Sequence, residues 1–282
     1  MFPDPYFREV GSGPGVVCLH ANASTSTQWR PLMESLEPRF HVLAADSFGA
    51  GKSPAWPVNR KVTLRDEVAL LDPVFELAGE PCMVVAHSYG AAVALIAAMS
   101  QPHRISALAL YEPVLFSLLD GDDSDEAVGI RAVAARATAA LDVSDLNAAA
   151  EAFIDFWMGA GSWARTPESR KTPIAASMTN LPGWFRALSN EPTPLRAFCA
   201  LHVPVLYMTG SESPAASRGV GRLLTQVLPQ VEVLEFEGLG HMGPITHPQI
   251  VNAAIVRFLE SCSTGRSAEL GRSSSLEAAA RP

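Results

Sequence analysis

The residues best suited to chemistry are a serine and a histidine far apart in the chain. Ser88 stands in Ala86-His87-Ser88-Tyr89-Gly90, directly after the apolar run Cys82–Ala86 and ahead of the Ala-rich stretch Ala91–Ser100. A buried strand that enters a helix through small-x-Ser-x-Gly builds a nucleophile. The flanking residues must be small because strand and helix pass close together, and the tight turn pushes the hydroxyl out at the end of the strand. Backbone N–H groups at the start of the helix can then stabilise an anion beside it. A serine hydroxyl is a weak nucleophile until a base takes its proton. Of the seven histidines, His241 has the best context for that work: Glu237-Gly238-Leu239-Gly240-His241-Met242, a Gly-rich loop between the last strand-like run and the last helix. Such a loop lets an imidazole reach back to the serine and later return the proton to a leaving group. His87 reads as structural, because neighbouring side chains on the turn point apart. His247 reads as a helix-cap or surface residue, and His41, His103 and His202 stand in no motif.

Positioning these two residues requires a rigid frame. Val16–Leu19, Phe40–Ala45, Cys82–Ala86, Ala107–Tyr111 and Val203–Met208 are short apolar runs expected as buried strands. Tyr6–Val10 is expected to begin the sheet and Val231–Phe236 to lie towards an edge. Helical patterns separate them at Gln28–Leu36, Leu64–Ala78, Ala91–Ser100, Arg218–Leu228 and His247–Glu260. Strand alternating with helix implies a mostly parallel sheet covered on both faces, an α/β class. No strand-like run occurs between about Pro113 and Ala200. Residues 113–200 are therefore expected to form a helical lid between two parts of the core, 1–112 and 201–262. Trp157 and Trp184 in the lid, and Met242 beside the histidine, are candidate pocket residues. Residues 263–282 lose apolar periodicity, resemble vector-derived sequence towards the end, and are expected to be disordered.

Taken together, this constellation resembles the α/β-hydrolase superfamily over about Tyr6 to Ser261. Two further stretches carry the resemblance. Leu19-His20-Ala21-Asn22 follows the first long strand, where relatives have His-Gly-x. Asp46-Ser47-Phe48-Gly49-Ala50-Gly51-Lys52-Ser53 matches the family turn D-x-x-G-x-G-x-S. The resemblance implies an α/β-hydrolase fold with His241 as base, and an oxyanion hole from the backbone amides of Asn22 and Tyr89. It also implies a third, acidic member of a triad. Most relatives keep an aspartate after the penultimate strand, but here that turn is Gly210-Ser211-Glu212-Ser213, with serine at the expected place. One group of haloalkane dehalogenases instead keeps a glutamate after the strand that follows the nucleophile helix. Glu112 occupies that position, at the end of Ile105–Tyr111. Glu112 is the preferred acid and Glu212 the alternative.

The other features narrow the function. Gly51-Lys52-Ser53 looks like the end of a phosphate-binding loop, but G-x-x-x-x-G-K-S would need glycine at Asp46, so nucleotide binding is rejected. A net charge of −8 without a basic stretch argues against nucleic acid. Cys18, Cys82, Cys199 and Cys262 match no metal spacing, so neither a metal nor a cofactor is expected. No membrane-length apolar run and no leader-like N-terminus are present, and a cytoplasmic protein without membrane association is expected. The leading expectation is a carboxylesterase acting on a small-molecule ester through Ser88, His241 and Glu112. Hydrolysis of carbon–carbon bonds in ring-fission products is an alternative on the same machinery, disfavoured because Met242 stands where many such enzymes carry Trp. A non-catalytic ligand receptor on the same fold is a third.

Overall fold

The apolar runs become one seven-stranded sheet. Its strands are β1 (Phe7–Val10), β2 (Gly15–Leu19), β3 (His41–Ala45), β4 (Cys82–His87), β5 (Ile105–Tyr111), β6 (Val205–Gly210) and β7 (Val231–Phe236), in spatial order β1-β3-β2-β4-β5-β6-β7. β1 runs antiparallel to β3, and every other pair is parallel. The computed structural model describes residues 4–57, 60–119 and 125–279, except for the side chains of Asp125 and of residues past Thr264.

Alternate residues of the central strands feed two cores, as the period of two dictates. Val17, Leu19, Val84, Ala86, Leu108 and Leu110 face one side, and Val16, Cys18, Met83, Val85, Ala107 and Ala109 the other. Both faces are covered, so these strands read as continuous apolar runs. At the edge, β7 exposes Glu232, Val233 and Glu235 and fully buries only Phe236.

The helices are α1 (Arg30–Leu36), α2 (Leu64–Leu70), α3 (Asp72–Ala78), α4 (Tyr89–Ser100), α5 (Asp125–Asp142), α6 (Leu146–Met158), α7 (Ser162–Arg165), α8 (Glu168–Ser177), α9 (Leu181–Ser189), α10 (Ala215–Val227), α11 (Gly243–Thr246) and α12 (Pro248–Ala279). The single helix expected over Leu64–Ala78 is two. Pro73 has no N–H to donate and its ring clashes with a preceding carbonyl, so the chain breaks at Leu71 and restarts. Similarly, a 3₁₀ turn at Ser26–Trp29 precedes α1, which has Pro31 in its first turn. The backbone of α12 runs to Ala279, while most side chains of the expected disordered tail lie outside the described residues.

Between β5 and β6 the described chain contains helices and no strand. This insertion is tied to the core at the D-x-x-G turn, where Asn180 Nδ2 donates to the Gly49 carbonyl at 3.1 Å. Gly183 lets α9 close on Trp56: a Cβ there would stand 2.5 Å from the indole ring. Its aromatics stack inward, Phe116 on Trp157 and on Phe185, and Phe153 edge-on to Trp157.

Candidate active site

The site is assembled where β2, β4, β5, β6 and β7 end. β4 stops at His87 and α4 starts at Tyr89, so a single residue, Ser88, makes the turn, with φ +56° and ψ −114°. Gly90 is required by close approach. A Cβ would lie 2.7 Å from the backbones of Leu19 and His20. Four non-glycine described residues have positive φ, and three of them, Ala23, Ser88 and Glu112, belong to this region. Each such conformation costs of order 1–3 kcal/mol and persists only where its surroundings over-determine it. Here the buried strands do so, since each fully buried Val or Leu contributes about 1.5–3 kcal/mol.

Ser88, His241 and Glu112 are brought together. Ser88 Oγ lies 2.9 Å from His241 Nε2, and His241 Nδ1 lies 2.6 Å from Glu112 Oε2. The other carboxylate oxygen, Oε1, accepts from Thr209 Oγ1 at 2.6 Å and from the Gly210 amide at 2.9 Å. Glu112 is fully buried. Burial alone would raise its pKa, but the hydrogen bond and charge of His241, joined by further hydrogen bonds including that from Thr209, hold the carboxyl well below the usual range. A carboxylate on Nδ1 fixes the imidazole as the Nδ1–H tautomer, which leaves Nε2 free to accept the serine proton. Glu212, the alternative acid, is not in this arrangement. Its side chain is exposed and its backbone N–H donates to the Leu239 carbonyl at 2.9 Å. The turn after β6 points it to solvent, while Ser213, at the usual aspartate place, is buried.

The loop carrying His241 is clamped by two residues of the sheet. Tyr111 Oη donates to the Gly240 carbonyl at 2.8 Å, and His87 Nε2 donates to the His241 carbonyl at 2.9 Å. His87 Nδ1 accepts from Gln28 Nε2 at 3.1 Å, so one neutral tautomer satisfies both partners. Burial, then the nearby His241, pushes the pKa of His87 down to about 3. His87 is thus more than an inert neighbour of Ser88, and its sequence context gave no sign of the long-range clamp.

The segment after β2 is equally constrained. His20 Nδ1 donates to the Ala21 carbonyl at 2.7 Å, and its Nε2 accepts from the Ser47 amide at 3.1 Å. Asn22 then lines the same two cavities as Ser88. Tyr89 opens α4, and the first N–H groups of a helix have no intrahelical partner. No partner for the Asn22 or Tyr89 amide is present among the described residues. The Tyr89 ring is anchored from behind: its hydroxyl donates to Glu67 Oε1 at 3.0 Å, and Glu67 Oε2 accepts from the Phe48 amide at 3.1 Å. Burial lifts the pKa of Glu67 to about 8. The Gly51-Lys52-Ser53 turn wraps its own carboxylate, with the Lys52 amide donating to Asp46 Oδ2 at 3.0 Å and the Ser26 amide to Oδ1 at 2.6 Å. Those Asp46 contacts occupy the Lys52 amide that a phosphate loop would offer its ligand.

Two cavities meet at Ser88. A narrow one is walled by Val114, Phe116, Phe153, Trp157, Trp184 and Leu188 among others. A wider one is bordered by Asn22, Trp157, Arg170, His241 and Met242 among others. The Trp157 ring lies 4.1 Å from that of His241, tilted by 31°. Trp157 and Trp184 line the narrow cavity, and Trp157 and Met242 the wider one. Arg170 was missed, because an arginine in a polar helical stretch carries no signal of what it faces. Among the described residues no group of His, Cys, Asp and Glu is arranged to hold a metal ion, and no helix is long and apolar enough to cross a membrane.

Residues 14–248 match the family model described as "alpha/beta hydrolase fold". Along most of its length the chain is similar to the 2-(acetamidomethylene)succinate hydrolase of Mesorhizobium japonicum, 26% identical over 269 residues, which is 90% of this chain and 91% of that protein. It is 35% identical to a haloalkane dehalogenase of Agrobacterium fabrum over 125 residues, which span only 40% of the dehalogenase and 44% of this chain. Among solved structures, an alpha/beta hydrolase from Sphaerobacter thermophilus matches with a TM-score of 0.71 and 26% identity, covering 90% of this chain and 96% of that one.

Proposed function

The chain belongs to the α/β-hydrolase family, and from that premise we propose that this hydrolase is a serine carboxylesterase with Ser88 as nucleophile, His241 as base and Glu112 as acid. The observation that carries the reading is the continuous chain from Ser88 Oγ to His241 Nε2 at 2.9 Å and from Nδ1 to Glu112 at 2.6 Å, facing two cavities. Ser88 Oγ attacks the ester carbonyl carbon as His241 Nε2 takes its proton. The carbonyl oxygen becomes an oxyanion between the amides of Asn22 and Tyr89, reinforced by the N-terminus of α4. Each such donor is worth roughly 2.7–4 kcal/mol in the barrier. His241 then hands the proton to the departing alcohol, leaving an acyl group on Ser88. Water, deprotonated by His241, attacks that acyl carbon and releases the acid and free Ser88. In this reading residues 113–200 act as the lid, and Trp157 and Trp184 shape the acyl pocket.

A fluorophosphonate should label the protein, and 4-nitrophenyl acetate should be turned over. Ser88→Ala should lose both. Undiminished turnover in that variant would rule out the assignment, and absence of labelling and turnover in the unaltered protein would favour a binding-only role. The long match to a hydrolase named for a substituted succinate favours a second reading with the same residues, in which the substrate is a polar acid derivative rather than a simple alkyl ester.

A further inference from the structure

The insertion carries three cations between Arg165 and Lys171, and two of them are committed. Arg165 donates to the Ser162 hydroxyl at 3.1 Å and reaches the Ala160 carbonyl at 3.5 Å. Lys171 lies 3.7 Å from Glu168 and sits over the Trp163 ring. Arg170 has no side-chain hydrogen bond or ion pair with any described residue, yet it borders the wider cavity together with Ser88 and His241. No Asp or Glu among the described residues lines that cavity. In a chain of net charge −8, this exposed arginine is a cation at the mouth of a cavity whose described walls hold no carboxylate. The narrow cavity has an aromatic and aliphatic wall and no charged side chain, whereas the wider one adds Arg170, its single described Lys or Arg, to a wall that includes Ile154, Ile174 and Ile245. Between the two stands Trp157, whose buried indole N–H has no partner among the described residues. The site thus has two largely apolar arms joined at Ser88, and one of them carries an arginine.

We propose that the wider cavity binds a carboxylate carried by the substrate, and that Arg170 is the residue that selects it. A guanidinium presents a planar fork of N–H donors that fits a carboxylate with two parallel hydrogen bonds and keeps its charge at any working pH. Arg170 is a specificity residue here and takes no part in bond breaking. The inference rests on the reading of Ser88 as nucleophile, so the test has one arm that needs turnover and one that does not.

For turnover, kcat/KM is measured on two matched pairs of aryl esters. The 4-nitrophenyl hemisuccinate against 4-nitrophenyl butyrate places the anion on the acyl side. The acetate of 4-hydroxybenzoate against that of methyl 4-hydroxybenzoate places it on the alcohol side. The unaltered enzyme should prefer the anionic member of at least one pair. Arg170→Ala should lower that anionic-to-neutral ratio by about tenfold or more, as expected for a lost charge-assisted hydrogen bond. Arg170→Glu should reverse the preference, and Arg170→Lys should restore part of it. Reading the ratio cancels any general loss from a disturbed insertion. For binding alone, succinate is titrated calorimetrically into Ser88→Ala, with Ser88→Ala/Arg170→Ala as comparison and 1,4-butanediol as neutral probe. Succinate binding that disappears with Arg170 supports the site even if no ester is hydrolysed, in which case only the esterase reading fails. A neutral preference in both pairs, a ratio unmoved by Arg170→Ala, or succinate binding equal in the two variants would overturn the proposal.

Discussion

Glu112→Gln replaces one carboxylate oxygen by an amide nitrogen and leaves the side chain's size almost unchanged, so it isolates what the charge does. Glu112 Oε1 accepts from Thr209 Oγ1 and the Gly210 amide, and both are donors in the observed arrangement. The glutamine carbonyl must take that side, and its NH₂ then faces His241 Nδ1. An NH₂ can only donate, so Nδ1 has to become the acceptor and the ring proton moves to Nε2. That nitrogen would then offer a hydrogen to Ser88 Oγ, 2.9 Å away, where it should remove one. The base is disabled while the geometry is kept. The corresponding change in a serine protease triad lowers kcat about 10⁴-fold. At about 1.36 kcal/mol per tenfold, that is roughly 5.4 kcal/mol in the barrier. We expect a loss of that order in kcat on 4-nitrophenyl acetate, with a melting temperature within a few degrees of the unaltered protein. Glu212→Gln, on an exposed side chain, should change kcat less than about twofold. A loss under tenfold for Glu112→Gln, or a larger loss for Glu212→Gln, would refute the reasoning.

Other consequences can be measured on the same preparations. Glu67 is held to a pKa of about 8, above its ordinary value, so the folded chain keeps a proton that the unfolded chain releases. Its contribution to stability is therefore fully present at acid pH and falls as pH rises from about 4.5 to about 8. Glu67→Gln should flatten that part of the curve and gain on the unaltered protein between pH 5 and 8.5 in urea unfolding; a difference independent of pH would count against it. His87→Ala leaves the His241 carbonyl and the Gln28 amide without their partner, which should cost about 1–3 kcal/mol of stability and reduce kcat, with His87→Gln recovering part of both; an unchanged kcat would show that the clamp is dispensable. Gly90→Ala drives a Cβ to 2.7 Å from the backbones of Leu19 and His20, so we expect roughly 1–3 kcal/mol lost by urea unfolding, together with slower fluorophosphonate labelling. Unaltered labelling would mean that the loop after β2 is less tightly tied to α4 than the contacts imply.

How far the sequence reaches depends on the range of the interactions involved. The strands were legible because a strand buried on both faces must be apolar throughout, as Val84, Val85 and Ala86 are. Ser88 and His241 were legible because each sits in a local pattern, a turn of small residues and a Gly-rich loop. Glu112 could be singled out only by weighing two strand ends against each other. The structure shows why the two differ: β5 pairs with β6, so Glu112 sits beside Thr209 and Gly210, whose donors satisfy its second oxygen, while Glu212 has already turned to solvent. The helix break at Leu71 is written locally, in Pro73. His87, Gln28, Glu67 and Arg170 left no local trace. His87 meets the His241 loop across 154 positions and Gln28 across 59, and such pairings exist only once the sheet order is fixed.

The sheet order also explains how two strained residues and a loop are made to agree. In the parallel register of β4 and β5, His87 stands opposite Tyr111. Those two side chains hold the carbonyls of His241 and Gly240, so this last row of the ladder fixes the height of the loop above the sheet. The next residue on each strand is Ser88 and Glu112, and both leave the ladder at positive φ to reach the imidazole from opposite sides. One row clamps the backbone of the loop and the following row brackets its side chain. Because side chains alternate with a period of two, slipping β5 by one residue against β4 would bring Glu112 opposite His87 and remove the carboxylate from its place. The register is held by Ala86 opposite Leu110 and Val84 opposite Leu108 in the same buried core. Substitutions in that core, several residues from any reacting atom, are therefore expected to act on turnover through the spacing between Ser88 and Glu112.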